Sequence, residues 1–150
     1  LYNESKIIIS KMSLTLEGFW DTQGEYASVN TNCLHSMNIA PQLLLSWIHS
    51  KVFHFIYECY FEGLKMAGGN LPFSAPYLSC MCIPKDIKEY SILIKLVDEI
   101  INVRNKVEYN MRLIDFFFLK MCNLTYGEAL IVIPDAQITR EEYEGFKLEQ

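Results

Sequence analysis

Long apolar runs are missing from this chain of 150 residues, although 51% of its residues are hydrophobic. Lys51 and Glu58 interrupt the longest apolar stretch. No stretch therefore reaches the length of about 18 uncharged apolar residues that indicates a membrane span. The chain begins with Leu1 rather than methionine and has no basic segment followed by an apolar one, as secretory signals have. These absences predict a cytoplasmic segment of a longer protein, with no membrane partner.

Histidine is scarce, and the three copies are His35, His49 and His54. Residues five apart on a helix point roughly 140° away from each other. Metal ligands on one helix need a spacing of three or four residues. We therefore expect His49 and His54 to be packing or surface residues of a helix rather than partners in a metal site.

A disulfide framework is not indicated, because the cysteines are odd in number and lie among apolar neighbours. The five are Cys33, Cys59, Cys80, Cys82 and Cys122. One alternative is a zinc site that joins Cys80 and Cys82 to Cys33 and His35, since residues two apart on a strand project to one side. A one-residue spacer is not the usual zinc-knuckle spacing, so reduced core thiols and no metal are the favoured interpretation.

Positive charge is in the minority, with 13 basic against 18 acidic residues and a net charge of −5. Residues 122–150 hold six acidic and two basic residues, which makes −4, so residues 1–121 carry only −1. A nearly neutral body can still present a local basic face. Charge alone therefore neither predicts nor excludes a nucleic-acid partner.

The first 84 residues predict a small mixed α/β globule. Strands are expected at residues 6–12, 19–21 and 26–34, where the last two form a hairpin around Thr22-Gln23-Gly24. Pro41 suits the first turn of a helix that runs to about residue 60. A glycine-bearing loop follows at residues 63–72, and loops of this length are often functional. Residues 77–84 read as a strand or extended segment that rejoins the first part.

The second part of the chain is predicted to be helical. Apolar residues recur every three or four positions from Leu93 to Met121, which is the rhythm of a long helix with a seam and with Asn110 as a polar seam residue. Such a helix either packs on its own domain or serves as a spacer that meets another helix. Two Thr-x-x-Glu capping boxes, at Thr125 and Thr139, predict two short terminal helices. The predicted organisation is α+β, with a globule at 1–84, one long helix within 85–121 and a short helical acidic tail at 122–150.

Several stretches, taken in order, resemble the TaqI-like C-terminal specificity domain of adenine-specific DNA methyltransferases and single-chain restriction-modification enzymes. They are residues 6–9 (KIII), 19–26 (FWDTQGEY), 43–53 (LLLSWIHSKVF), 77–84 (YLSCMCIP), and Ile114-Asp115 with 124–129 (LTYGEA). The third stretch is similar to the family's Leu-Leu-x-x-Leu-Asn-Ser-Lys-Leu helix, with His49 at the Asn position. In the fourth stretch, Met81 and Cys82 replace the usual Leu-Pro.

The resemblance implies sequence-specific recognition of double-stranded DNA next to an upstream methyltransferase domain of the same chain. That domain would use S-adenosylmethionine to methylate an adenine that it has flipped out of the duplex. The 150 residues contain no Asn-Pro-Pro-Tyr segment, no glycine-rich cofactor loop and no nuclease cluster of carboxylates with lysine. We therefore expect a fragment that binds no cofactor and is not an enzyme by itself. The alternative is a protein-interaction module that docks a partner helix on the 93–121 seam.

Within this interpretation, eight residues are candidates for contacting DNA. Phosphate contacts need cations, for which the candidates are Lys6, Lys11, Lys51 and Lys65. Base reading needs paired donors and acceptors, for which the candidates are Gln23 and Asn70. The loop backbone could approach a phosphate closely at Gly68 and Gly69. The turn at residues 22–24 and the loop at 64–73 are expected to form one groove-facing edge, with the acidic tail away from it.

Overall fold

The computed structural model describes residues 3–35, 38–103, 106–134 and 138–148. Over these ranges the chain is a mixed α+β structure with seven α-helices, a three-stranded sheet and a two-stranded sheet, and both sheets are antiparallel. The predicted α+β class is thus confirmed. Within the described ranges, no helix is both long and apolar enough to cross a bilayer.

The larger sheet has the order β3-β1-β4, formed by Lys6–Ser10 (β1), Gly18–Asp21 (β3) and Thr31–Leu34 (β4). The predicted hairpin of the second and third strands is therefore wrong, because both pair with β1 and not with each other. The physical reason lies in β1, whose three consecutive isoleucines are all buried and so favour the central position. The small sheet pairs Met12–Ser13 (β2) with Leu71–Pro72 (β5).

The helix predicted at residues 41–60 is two helices, Pro41–His49 (α1) and Lys51–Phe61 (α2). Pro41 occupies the first turn of α1, as predicted. The break is at Ser50, whose backbone is extended at φ −69° and ψ 146°. The Ser50 hydroxyl accepts the N–H of Phe53 at 3.1 Å and donates to the Trp47 carbonyl at 2.7 Å. Ser50 thus ends α1 and caps α2.

The strand predicted at residues 77–84 is also wrong. A 3-10 turn at Glu62–Leu64 and strand β5 follow α2, and then Ala75–Leu78 forms a short helix (α3) that leads into irregular chain. Pro76 lies in the first turn of α3, where its missing N–H costs nothing.

The single long helix predicted within 85–121 is instead a 3-10 turn at Lys85–Glu89 and two helices, Ser91–Asn102 (α4) and Val107–Met121 (α5). The side-chain amide of Asn110 donates to the Leu96 carbonyl at 3.3 Å. Fourteen residues of straight helix would separate these two by about 21 Å, so α5 folds back on α4. Because a seam of period three to four also suits two packed helices, the pattern could not exclude this turn. No strand occurs in the described part of this segment, as predicted.

One hydrophobic core includes buried residues of all three predicted segments, from Ile7 to Tyr143. Helix α4 packs on α1 and α5, and the seam residues Leu93, Leu96, Ile114 and Phe117 are buried inside the chain. The tail forms Tyr126–Val132 (α6) and Arg140–Gly145 (α7), and each begins with the predicted capping box. The boundaries at residues 84 and 121 stay predictions.

Candidate nucleic-acid interface

Lys6 and Asp21 form a buried ion pair, with Nζ and Oδ2 2.6 Å apart and both side chains almost fully inaccessible. They stand directly opposite each other on β1 and β3. Burial alone would raise the pKa of Asp21. The Lys6 ammonium and the backbone N–H groups of Tyr26 and Glu25 outweigh this effect and lower the pKa to about 2. The prediction that Lys6 contacts a phosphate is therefore wrong, because its ammonium is committed to Asp21 inside the protein.

The Asp21 carboxylate also shapes the bend that follows β3. Its two oxygens accept the backbone N–H groups of Glu25 at 3.1 Å and Tyr26 at 3.0 Å. Gly24 has a φ of +71°, and a Cβ there would lie 2.4 Å from the Asn3 carbonyl carbon, so only glycine fits. Gln23 is exposed on this bend, at the Lys6 end of β1.

The glycine-bearing loop lies at the other end of β1. Its strand β5 pairs with β2, and the Phe73 N–H donates to the Lys11 carbonyl at 2.8 Å. β1 alone spans roughly 13 Å, since an antiparallel strand rises about 3.4 Å per residue. The expected single edge, with Gln23 beside the 64–73 loop, is therefore wrong. The antiparallel register places the two segments at opposite ends of one strand.

Within that loop, a tight turn holds Asn70 in place. The Met66 N–H donates to the Asn70 carbonyl at 2.9 Å, and the Gly69 N–H donates to the Met66 carbonyl at 2.9 Å. Gly68 and Gly69 have φ values of +95° and +86°, a region that other residues rarely adopt. The partly exposed Asn70 side chain therefore projects from a rigid backbone.

Lys51 begins α2, and its backbone N–H donates to the Asp115 carboxylate on α5 at 2.8 Å. Burial raises the pKa of Asp115 to about 6, while this N–H and the charge of Lys51 act in the opposite direction. The Lys51 side chain is exposed and lines two clefts of about 300 Å³ each, one toward Asp115 and one along α2. The Lys51 ammonium is on the surface, so a phosphate could reach it.

One surface along α2, here called the α2 face, consists of Lys51, His54, Glu58, Lys65 and the neighbouring Thr15. The three helical residues follow at spacings of three and four, so they share one side of α2. The opposite wall of the α2 cleft is formed by residues 132–134, which comprise the last residue of α6 and the two residues that follow it.

The charges on the α2 face are partly balanced. Lys65 Nζ lies 2.7 Å from Glu58 Oε1, and this contact lowers the pKa of Glu58 and raises that of Lys65. His54 Nε2 lies 3.7 Å from the other Glu58 carboxylate oxygen, and burial lowers the pKa of His54, which favours the neutral imidazole. Lys11 Nζ donates to the Val29 carbonyl at 2.6 Å and remains exposed. Lys51 thus adds a positive charge to a face on which Glu58 offsets Lys65.

The α2 face unites two predicted residues, Lys51 and Lys65, and the Asn70 turn follows Lys65 directly. Gln23 and Lys6 lie elsewhere, and the Lys11 ammonium contacts the Val29 carbonyl. Thr15, His54 and Glu58 were not predicted as members, although the spacing of Lys51, His54 and Glu58 on a predicted helix was a signal that could have found two of them. The acidic tail is not remote from this face, because α6 packs against α2.

The histidines and cysteines do not assemble into a metal site. Among the described residues, no group of three or more His, Cys, Asp or Glu side chains could hold a metal ion. His49 is half-buried, and its Nε2 donates to the Gly18 carbonyl at 2.9 Å, so this hydrogen bond connects α1 to β3. Burial lowers the pKa of His49.

No family model matches the chain, and neither a curated protein nor a solved structure is significantly similar to it. The family resemblance therefore rests on the residues of the chain alone.

Proposed function

We propose that this chain is the double-stranded DNA recognition domain of an adenine-specific methyltransferase of the restriction-modification type. The observation that carries the proposal is a pairing of the stretches that resemble the family. Lys6 of the first stretch forms an ion pair with Asp21 of the second, 15 positions away, and the backbone N–H of Lys51 in the third donates to the Asp115 carboxylate of the last, 64 positions away. The stretches that resemble the family thus contain residues that contact one another across the fold. Unrelated chance matches would rarely have such contacts.

The chemistry of the α2 face supports binding to a phosphate backbone. Lys51 begins α2, and the Lys65 ammonium lies 2.7 Å from Glu58, which is seven residues or roughly 10 Å further along the helix. That distance corresponds to about three base-pair steps along a duplex. The exposed Thr15 hydroxyl, which lines the same cleft as Lys51, adds a hydrogen-bond donor on the same side.

Sequence reading is assigned to the Asn70 turn. Asparagine can bind adenine bidentately at N6 and N7 in the major groove. The turn is fixed by two backbone hydrogen bonds, so little conformational entropy would be lost when Asn70 meets a base. Gln23, at the far end of β1, would have to contact a different part of the site.

Catalysis belongs to a different domain in this proposal. The upstream methyltransferase domain would bind S-adenosylmethionine and the flipped adenine, while the described residues position the duplex in the cytoplasm beside it. The chain itself would have no enzymatic activity.

The test is selection from a randomised pool of labelled duplexes. We expect the chain to retain duplexes in preference to single strands of the same composition, and sequencing to reveal an enriched motif of a few base pairs. Retention without any enriched motif would contradict sequence recognition, and absence of retention at 50 mM salt would contradict DNA binding.

A second candidate function is a protein-interaction module. Large apolar side chains are exposed around the end of the α4-α5 pair, at Ile101, Val103, Val107 and Tyr109. An exposed cluster of this kind suits a protein partner. Concentration-dependent self-association that ignores DNA would favour this candidate over DNA recognition.

A further inference from the structure

A cavity of about 180 Å³ lies between the three-stranded sheet and the α1-α2 pair. Its inner wall is formed by five buried side chains, namely Ile9, Leu44, Trp47, Ile48 and Phe53. It shares no residue with the cleft on the α2 face, so it is a separate feature of the fold.

The aromatic part of this wall is held in place. The Trp47 indole N–H donates to the Cys82 carbonyl at 3.1 Å, which satisfies the polar atom of the ring. The Trp47 ring also packs edge-on against Phe53, with centroids 5.6 Å apart, and against Phe118 at 5.0 Å. A ligand would therefore meet a preformed aromatic surface.

The mouth of the cavity is formed by residues at the end of β4 and around α3. They are Leu34, His35, Leu78, Met81 and Ile83. Among all ten lining residues His35 has the only ionisable side chain, and it is exposed at the rim. A charged ligand would find no partner inside, whereas a neutral ligand could place one hydroxyl or N–H beside His35.

We propose that this cavity binds one small neutral aromatic molecule, of the size of phenol or indole. An apolar protein cavity of about 150 Å³ is large enough to hold benzene and stays dry when empty. The cavity beside Trp47 is slightly larger, is lined by the same kinds of side chain, and has a mouth. The inference does not depend on DNA binding.

The test is a titration of the chain with indole, in which nuclear magnetic resonance monitors the methyl groups of the isoleucines. Ile9 and Ile48 line the cavity, whereas Ile138 lies at a different cleft and serves as the internal control. We expect saturable shifts for Ile9 and Ile48 and none for Ile138. Benzenesulfonate, which is aromatic but charged, should produce no saturable shift.

Two variants that each introduce a tryptophan decide whether the ligand occupies this cavity. Leu34→Trp fills the mouth, whereas Val29→Trp adds the same ring at an exposed position outside it. We expect indole affinity to fall at least about tenfold in Leu34→Trp and to be unchanged in Val29→Trp, with both variants folded by circular dichroism. Should indole leave Ile9 and Ile48 unshifted in the unsubstituted chain, or bind Leu34→Trp with unchanged affinity, the proposal is overturned. If Leu34→Trp does not fold, Leu78→Trp at the same mouth takes its place with the same expected result.

Discussion

The Asp115 carboxylate on α5 accepts the first backbone N–H of α2, that of Lys51, at 2.8 Å. This N–H is one of four that an isolated helix leaves without a partner. The Ser50 hydroxyl satisfies a second one, that of Phe53, from within the chain segment itself. Helix α2 is thus capped both locally and by a distant residue, and this double cap locates the break between α1 and α2.

Replacing Asp115 with asparagine should make stability less dependent on pH. The pKa of Asp115 in the folded chain is about 6, above its ordinary value of 3.8, so between these two pH values the folded state binds a proton that the unfolded state has lost. The stability that this proton contributes at low pH is lost as the pH rises through 6. Asparagine keeps an acceptor for the Lys51 N–H without the charge. We expect Asp115→Asn to be more stable than the original chain by up to about 3 kcal/mol at pH 7.5 and equal to it at pH 4.

Urea unfolding of both proteins at the two pH values measures this difference. Comparing the two proteins removes the background from His49 and His54, whose lowered pKa values act in the opposite direction over the same range. A stability difference that is the same at pH 4 and pH 7.5 would show that Asp115 does not titrate as the geometry requires.

The Lys6–Asp21 pair should be strongly coupled. Lys6→Met leaves the Asp21 carboxylate without its ammonium partner, and we expect the melting temperature to fall by roughly 10 °C. Because Lys6 and Asp21 interact directly, the fall in Lys6→Met/Asp21→Asn should be smaller than the sum of the two single falls. Lys11→Met, at an exposed lysine, is the matched control and should change the melting temperature little. Additive single effects would contradict the direct pairing.

Local signals explain which parts of this fold could be predicted from sequence. The start of α1 at Pro41 and the capping boxes at Thr125 and Thr139 depend on residues within one helical turn, and all three are confirmed. The central position of β1, the break at Ser50 and the turn between α4 and α5 depend on contacts between distant segments. A pattern of apolar residues does not reveal these contacts.

The same distinction applies to the candidate site. Lys6 and Lys11 look alike in sequence, but the register of β1 with β3 places Asp21 opposite Lys6 only. The burial of Lys6 therefore depends on the pairing of β1 with β3, whereas the predicted hairpin paired the β3 segment with the β4 segment. The grouping of Lys51, His54 and Glu58 on one side of α2 was accessible from helical spacing. The position of Lys65, which follows the helix, and the wall formed by residues 132–134 were not.

Removing the hydroxyl of Ser50 should destabilise the start of α2. Ser50→Ala removes the acceptor for the Phe53 N–H at a fully buried position, so we expect the free energy of unfolding to fall by about 1 kcal/mol. Ser50→Thr keeps a hydroxyl acceptor, so its free energy of unfolding should fall by much less. Urea unfolding measures both values. Ser46 is the matched control, because its buried hydroxyl contacts only a carbonyl within α1 and caps no N–H. Equal losses at Ser46 and Ser50 would argue against a capping role.

Glu58 should restrain DNA binding. Glu58→Gln removes the carboxylate that lies 2.7 Å from Lys65 and so frees that ammonium for a phosphate. We expect tighter binding to any duplex and a salt dependence steeper by up to about 0.9, the value for one phosphate contact. Glu89→Gln, an equal charge change at an exposed site outside the α2 face, should have a smaller effect. Equal gains in both variants would indicate net charge alone, without a role for the α2 face.

The most direct measurement is the salt dependence of duplex binding by the chain and by its Lys51→Gln/Lys65→Gln variant. Fluorescence anisotropy between 50 and 200 mM salt gives the slope of log affinity against log salt for each. If the two ammonium groups contact phosphates, the slope should become shallower by about 2 in the variant, with the melting temperature nearly unchanged. A folded variant with the same slope and affinity as the unsubstituted chain would contradict DNA recognition through the α2 face.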